Sequence, residues 1–294
     1  MQLLDGKLTA EGIRAELKDE VEELSRRHKR PPGLAVILVG DDPASGIYVR
    51  NKERACQEAG IASEVIRLDA SVAQQEVEQV IRDCNRRSDL DGMLLQLPLP
   101  AGLDSQACLS LIAPEKDVDG FHPVNMGRLA LGLPGFSPCT PAGIIALLKR
   151  YEIPMSGKKA VVVGRSNIVG KPLALLLLQE NATVSVCHSR TRDLAAETRT
   201  AELLFAAVGR PRMITADMVM PGAVVVDVGM NRTEQGLAGD CDFAGLTDKV
   251  SAMTPVPGGV GPMTIAQLLL NTVQAYKRQV KSSKLEVRSS KEEQ

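Results

Sequence analysis

Apolar residues recur at helical spacing early in the chain. Ile13, Leu17, Val21 and Leu24 share one face of a 3.6-residue period, so residues 9–27 are expected to form an amphipathic helix. Pro31-Pro32-Gly33 ends that segment. Leu34 to Val39 is a short, wholly apolar run, the pattern of a strand covered on both faces. Residues 44–59 read as a helix stopped by Gly60, and 64–68 as a strand. Residues 72–86 read as a helix, and 92–96 as a second buried strand. This alternation predicts a parallel sheet wrapped by helices. The Pro- and Gly-rich segment from Leu133 to Pro141 marks the expected domain crossing. Within it, Thr140-Pro141 resembles an N-cap followed by proline at the first position of a helix running to Tyr151. A second α/β series follows, with strands expected at 160–163, 183–187, 202–207 and 223–228. A helix from Thr264 to about Gln279 closes the series and is expected to pack back on the first domain. The polar stretch 281–294 lacks apolar periodicity and is expected to fray. The fold class is α/β: two α/β domains flanking a cleft, the second a Rossmann-like, doubly wound parallel sheet. The expected boundaries are 1–139 plus 266–294 for the first domain and 140–265 for the second.

The length of 294 residues agrees with two domains. A hydrophobic content of 44% against 24% charged residues is that of a globular chain, not a disordered one. The net charge of −1 supplies no attraction to nucleic acid or an anionic membrane. With 2% aromatics and no Trp, a base-stacking platform is also disfavoured. The six cysteines form no C-x-x-C pair and read as free thiols in a reducing compartment. The start of the chain lacks the layout of a signal peptide, and the longest apolar runs, such as Leu173 to Leu178, are too short to span a bilayer. A cytoplasmic location is expected.

Candidate chemistry gathers at two places. The first is Val161-Val-Val-Gly-Arg-Ser-Asn-Ile-Val-Gly170, which joins a buried strand to a helix. Glycines allow a tight turn and close approach to a diphosphate, and the helix N-terminus offers free N–H groups. The pattern is G-x-S-x-x-x-G and not G-x-G-x-x-G, so by itself it is equally a structural turn. The next strand ends in His188-Ser189-Arg190, with no acid before Asp193. A carboxylate there would repel a 2′-phosphate. Arg165, Ser189 and Arg190 could bind one, unless the arginines are simply solvated surface charges. The missing acid favours NADP over NAD.

The second place is Ser45-x-x-Tyr48-x-x-x-Lys52, whose spacing puts three polar residues on one helix face. Tyr-x-x-x-Lys invites comparison with short-chain dehydrogenases. Chain order rejects it, because the Gly-rich loop follows more than a hundred residues later and belongs to the other domain. The helix must then meet the cofactor across a cleft. Gln96 ends a buried strand, where α/β sites form and where a polar side chain needs a partner. Asp117 and Asp119 lie in a loop beyond the next helix, and one of them could join Lys52 and Gln96. The Asp-x-Asp pair could suggest a divalent metal. However, His28, His122 and His188 are far apart in the chain, and no metal is expected.

Together these segments resemble the bifunctional methylenetetrahydrofolate dehydrogenase/methenyltetrahydrofolate cyclohydrolase family. The matching stretches are 45–52, 94–100, 114–120, 138–143, 163–170, 227–231 and 254–264, in the family's order. The run Pro257-Gly-Gly-Val-Gly-Pro-Met-Thr264 is the most specific. The resemblance implies that Lys52 is the main catalytic residue of the cyclohydrolase step and that Gln96 hydrogen-bonds and tunes it. It implies that Tyr48 packs against the folate, that Asp119 binds the pterin ring, and that Ser45, Pro257, Gly258 and Gly259 line the substrate site. NADP would be held by Gly164, Arg165, Ser166, Ser189, Thr140, Val208, Gly209 and Asn231, with Arg165 and Ser189 at the 2′-phosphate. It further implies a homodimer serving one-carbon metabolism and purine biosynthesis.

Two rivals remain. A monofunctional dehydrogenase of this fold would not need Lys52, Gln96 and Asp119, and a nucleotide sensor would bind NADP without turnover. In the bifunctional reading, hydride transfer needs little beyond holding donor and acceptor in contact. Ring opening needs a proton acceptor. Lysine in water is charged at neutral pH, so this role calls for a buried setting that favours the neutral amine.

Overall fold

The computed structural model describes residues 1–234 and 236–292. The chain opens with the strand β1 (Gln2–Leu3) and helix α1 (Gly6–His28). Next, β2 (Gly33–Val39), α2 (Pro43–Glu58), β3 (Ala62–Leu68), α3 (Gln74–Arg86) and β4 (Gly92–Leu95) alternate. Two short helices, α4 (Ser105–Leu111) and α5 (Pro123–Ala130), lead to α6 (Cys139–Arg150). The second series runs β5 (Lys159–Val163), α7 (Gly170–Gln179), β6 (Thr183–Cys187), α8 (Leu194–Thr198), β7 (Leu203–Ala206) and β8 (Val224–Asp227). It continues with β9 (Asn231–Thr233), β10 (Gly236–Ala238), α9 (Phe243–Leu246), β11 (Ala252–Met253) and α10 (Val260–Glu292). These elements divide into two compact units. One comprises Gly12–Gly127 and the chain from Leu268; the other comprises Met1–Glu11 and Arg128–Gln267.

The first unit holds a three-stranded parallel sheet in the order β3-β2-β4. Every residue of β2 is buried, as its unbroken apolar run foretold. Ala35, Ile37 and Val39 of β2 join Met93 and Leu95 of β4 and Val77, Ile81 and Cys84 of α3 in one core. The α3 C-terminus is closed from outside. The buried Lys116 ammonium donates to the carbonyls of Cys84, Asn85 and Arg87 at 3.2, 2.9 and 2.5 Å, which satisfies acceptors that a helix end leaves open. The strand starts are fixed by charge. Asp91 accepts both Arg30 guanidinium arms at 2.7 Å and the Gly33 N–H at 2.8 Å. The Arg30 guanidinium also lies 4.6 Å from the centre of the Tyr276 ring of α10.

The second unit is a six-stranded sheet in the order β1-β11-β8-β7-β5-β6, parallel throughout, with the antiparallel ribbon β9-β10 beside it. The chain runs outward from β5 to β6 and then crosses to β7 on the other side of β5. This reversal makes a topological switch point at the carboxyl ends of β5 and β7, where ligands of doubly wound sheets bind.

Several boundaries differ from the sequence reading. β1 and β11 are two residues each, too short to carry a period, and were not foreseen. Helix α6 starts at Cys139 and not at Pro141, and Thr140 makes no capping bond. The Pro138 carbonyl accepts Ala142 N at 3.0 Å, so the helical ladder begins earlier. Helix α10 begins at Val260, before Thr264, and continues through 281–292, the stretch expected to fray.

Candidate active site

In the three-stranded unit the site is built on α2. Asp42 caps its N-terminus by accepting Ser45 N at 2.7 Å, and Pro43 occupies the first turn, where its missing N–H costs nothing. The capped start sets the phase of the helix. Ser45 is buried, Tyr48 is half-buried and Lys52 is 7% exposed. Lys52 Nζ donates to Gln96 Oε1 at 3.1 Å. Gln96 sits just past β4, anchored through its own N–H to Ile37 O at 2.8 Å. Its amide nitrogen donates to Leu97 O at 2.8 Å, which settles the side-chain orientation and turns the oxygen toward Lys52. Burial pushes the Tyr48 phenol above its ordinary value, so at neutral pH it is an uncharged group. One turn beyond Lys52, burial drives the Cys56 thiol up to about 12, which leaves no thiolate to compete chemically.

Asp117 and Asp119 separate clearly. The Asp117 carboxylate is buried and accepts from Gly120 N, Phe121 N, His122 N and Asn125 Nδ2 at 2.8–3.2 Å. It ties the loop together. Asp119 is half-buried and makes no hydrogen bond or ion pair with a described residue, so it is the acid with capacity for a ligand.

In the six-stranded unit the remaining candidates follow consecutive parallel strands. Gly164, Arg165 and Ser166 follow β5, Ser189 follows β6, Val208 and Gly209 follow β7, and Asn231 begins β9 after β8. Gly164 has φ +129°, and a Cβ there would lie 2.2 Å from Ala207 O. A Cβ on Gly170 would lie 2.1 Å from Gly164 O. Neither position admits a side chain, so the turn closes over bare backbone, the condition for cradling a diphosphate. Ser166 Oγ accepts from Val169 N and Gly170 N at 3.1 and 3.3 Å, next to the α7 N-terminus. Arg165, Ser189 and Arg190 are exposed beyond the ends of β5 and β6, and no carboxylate follows β6 before Asp193. This donor set fits a dinucleotide carrying an extra phosphate. Thr140 Oγ1 lies 3.0 Å from Thr264 Oγ1, joining α6 to α10. Pro257 is exposed, Gly258 half-buried and Gly259 buried in the turn before α10.

Two network residues escaped sequence reasoning. Asp227 sits inside a motif quoted for the resemblance, yet only the structure reveals its three main-chain partners: Gly229 N, Asp240 N and Cys241 N at 2.8–2.9 Å. Asp240 gave no sequence signal at all. All six cysteines are buried free thiols. Among the described residues, no helix is long and apolar enough to cross a membrane.

The catalytic-domain model of the tetrahydrofolate dehydrogenase/cyclohydrolase family matches residues 4–119, and that family's NAD(P)-binding domain matches residues 138–280. The chain belongs to this family. It is therefore an enzyme with dehydrogenase and cyclohydrolase activities, and β5 to β11 lie within its NAD(P)-binding part. The bifunctional protein FolD of Nitratidesulfovibrio vulgaris is 69% identical over 281 residues, covering 94% of this chain and 98% of the relative. Among solved structures, the FolD methylenetetrahydrofolate dehydrogenase/cyclohydrolase from Campylobacter jejuni superposes with a TM-score of 0.93 at 50% identity, covering 95% of this chain and 99% of that one. The Trypanosoma brucei enzyme, solved with NADP and an inhibitor, has a TM-score of 0.91 at 38% identity, covering 95% of this chain and 98% of that one.

Proposed function

We propose that this family member oxidises 5,10-methylenetetrahydrofolate with NADP and hydrolyses the 5,10-methenyl product to 10-formyltetrahydrofolate. The observation that carries the reading is the buried Lys52 Nζ held 3.1 Å from Gln96 Oε1, in a chain that also builds a glycine-lined dinucleotide turn. NADP, held by the Gly164–Gly170 turn with Arg165 and Ser189, would supply the acceptor for the hydride that leaves the methylene carbon. The resulting cation is shared by the two flanking nitrogens of the folate. Water then adds to the same carbon and releases one proton. Collapse of that hydroxyl intermediate moves a second proton from the hydroxyl to the departing ring nitrogen. Lys52 is the group assigned to carry these protons, and Gln96 is assigned to aim it. Tyr48 and Ser45 line the folate site from the same helix face, Asp119 binds the pterin donors, and Pro257, Gly258 and Gly259 line the site as well. Gly164 and Ser166 hold the diphosphate, and Arg165 and Ser189 hold the 2′-phosphate. Thr140, Val208, Gly209 and Asn231 complete the cofactor contacts. The domain division at 139/140 and 265/266 belongs to this same reading.

The finer setting is a cytoplasmic homodimer that supplies one-carbon units to purine biosynthesis and binds neither nucleic acid nor membrane. Leu178 of α7 and Val186 of the edge strand β6 are exposed apolar side chains that a second copy could cover. The test is turnover of methylenetetrahydrofolate with NADP and NAD at matched concentration. Reduced cofactor and 10-formyl product should both form, with NADP preferred. Binding without turnover would leave only a nucleotide sensor, and strong NAD preference would overturn the roles of Arg165 and Ser189.

A further inference from the structure

Asp240, just after β10, is fully buried and lies outside the candidate set. Its carboxylate accepts three consecutive main-chain N–H groups of the loop after β7. Val208 N at 2.6 Å and Gly209 N at 3.0 Å meet one oxygen, and Arg210 N at 2.9 Å meets the other. Asn231 Nδ2 adds a fourth donor at 2.9 Å. Asp240 is fixed from behind by its own N–H, which donates to Asp227 Oδ1 at 2.8 Å. Ala207 N is likewise committed, to Val163 O at 2.8 Å. The Ala207 amide therefore faces β5, and the amides of 208 to 210 face the buried Asp240. In a trans peptide the carbonyl points opposite to the N–H. Consistently, Ala207 O approaches Gly164 at the switch point.

We propose that Asp240 is the positioning residue of the cofactor loop: it draws the Val208–Arg210 amides inward, so the loop presents carbonyl oxygens to the dinucleotide. Such a loop recognises hydrogen-bond donors, namely ribose hydroxyls and the carboxamide. It has no free amide for a phosphate, and the carboxylate behind it disfavours a second anion. The phosphates are thereby assigned to the Gly164–Gly170 turn, where the N–H groups of α7 begin. Asn231 acts partly through Asp240, because its amide nitrogen is spent on that carboxylate and on Ala238 O at 3.3 Å. This inference rests on the proposed NADP reading.

The test is Asp240→Asn in the full chain. An asparagine keeps one acceptor oxygen and turns an NH2 toward amides that also donate. The Kd for NADP should rise about tenfold or more, the equivalent of one charged hydrogen bond. Cyclohydrolysis of added methenyltetrahydrofolate, assayed without nicotinamide cofactor, should stay within about twofold, because that step uses no nicotinamide and Lys52 and Gln96 belong to the other compact unit. Unchanged NADP affinity, or an equal loss in both assays, overturns the positioning role. If the variant does not fold, amide exchange in the wild-type chain decides. Slow exchange of Val208, Gly209 and Arg210 without cofactor supports the proposal, and exchange at open-loop rates overturns it. A wild-type chain that neither binds NADP nor hydrolyses the methenyl compound would instead refute the functional reading itself.

Discussion

The Asp91–Arg30 pair allows a stability prediction in which the two ends are unequal. Asp91 has a side-chain exposure of 0%, whereas Arg30 has 29%. Asp91→Ala strands a guanidinium that water can partly reach, and it leaves the buried Gly33 N–H without its acceptor. Removing one partner of a buried pair costs about 3–5 kcal/mol, and partial rehydration of Arg30 places this variant near 3. That corresponds to a drop of about 6–12 °C in Tm for a chain of this size. Arg30→Met strands the carboxylate, which water cannot reach, and also removes the cation over Tyr276. Its loss should exceed that of Asp91→Ala, toward about 5 kcal/mol. Urea titration followed by circular dichroism measures both, with cyclohydrolase activity at 25 °C as the check that the native site survives. If Asp91→Ala lost less than about 1 kcal/mol, or Arg30→Met proved the milder change, the pair would be behaving as a surface salt bridge and not as a buried one.

Two further outcomes follow from the geometry. Burial pushes the Asp227 carboxyl up to about 6, against its three main-chain N–H donors, with nearby Asp240 adding to the rise. An unfolded aspartate loses its proton near about 4, so the native state holds more protons between these values. Stability should therefore fall as pH rises from about 4 to 6, by about 3 kcal/mol in total, and Asp227→Asn should flatten that slope. An identical slope in the variant would contradict the assignment. Gln96→Leu removes the acceptor seen for Lys52. Ring opening should slow about tenfold while hydride transfer changes less, as parallel assays of the two steps would register. Equal losses in both steps would mean that Gln96 merely holds the fold.

Much of this architecture was legible in the chain because buried parallel strands are written as unbroken apolar runs. β2, β4, β5, β7 and β8 were all anticipated for that reason. β1 and β11 were not, since two residues hold no period and pair only because the sheet offers them an edge. Thr140 was misread as a cap because Thr-Pro is a good local start signal. The structure begins the ladder at Pro138, and the Thr140 hydroxyl lies against Thr264. The Lys52–Gln96 contact was legible through a polar residue closing an apolar strand. Residue pattern alone left Asp117 and Asp119 open and only the resemblance named Asp119, because the choice depends on which carboxylate the loop's own N–H groups capture. Asp240 was beyond reach for a related reason. Its partners on the β7 loop are backbone amides 30–32 residues away, and backbone leaves no mark in side-chain pattern.

In the proposed function one carbon is processed twice in this chain, and Lys52 is the main catalytic residue of the second step. Lys52→Met tests it directly, with NADPH formation and the methenyl intermediate followed separately by absorbance. Ring opening should fall by about a hundredfold or more, the usual worth of a positioned acid/base group, while part of the hydride transfer remains and the methenyl compound accumulates. Ring opening at the wild-type rate in that variant would remove Lys52 from the hydrolytic step.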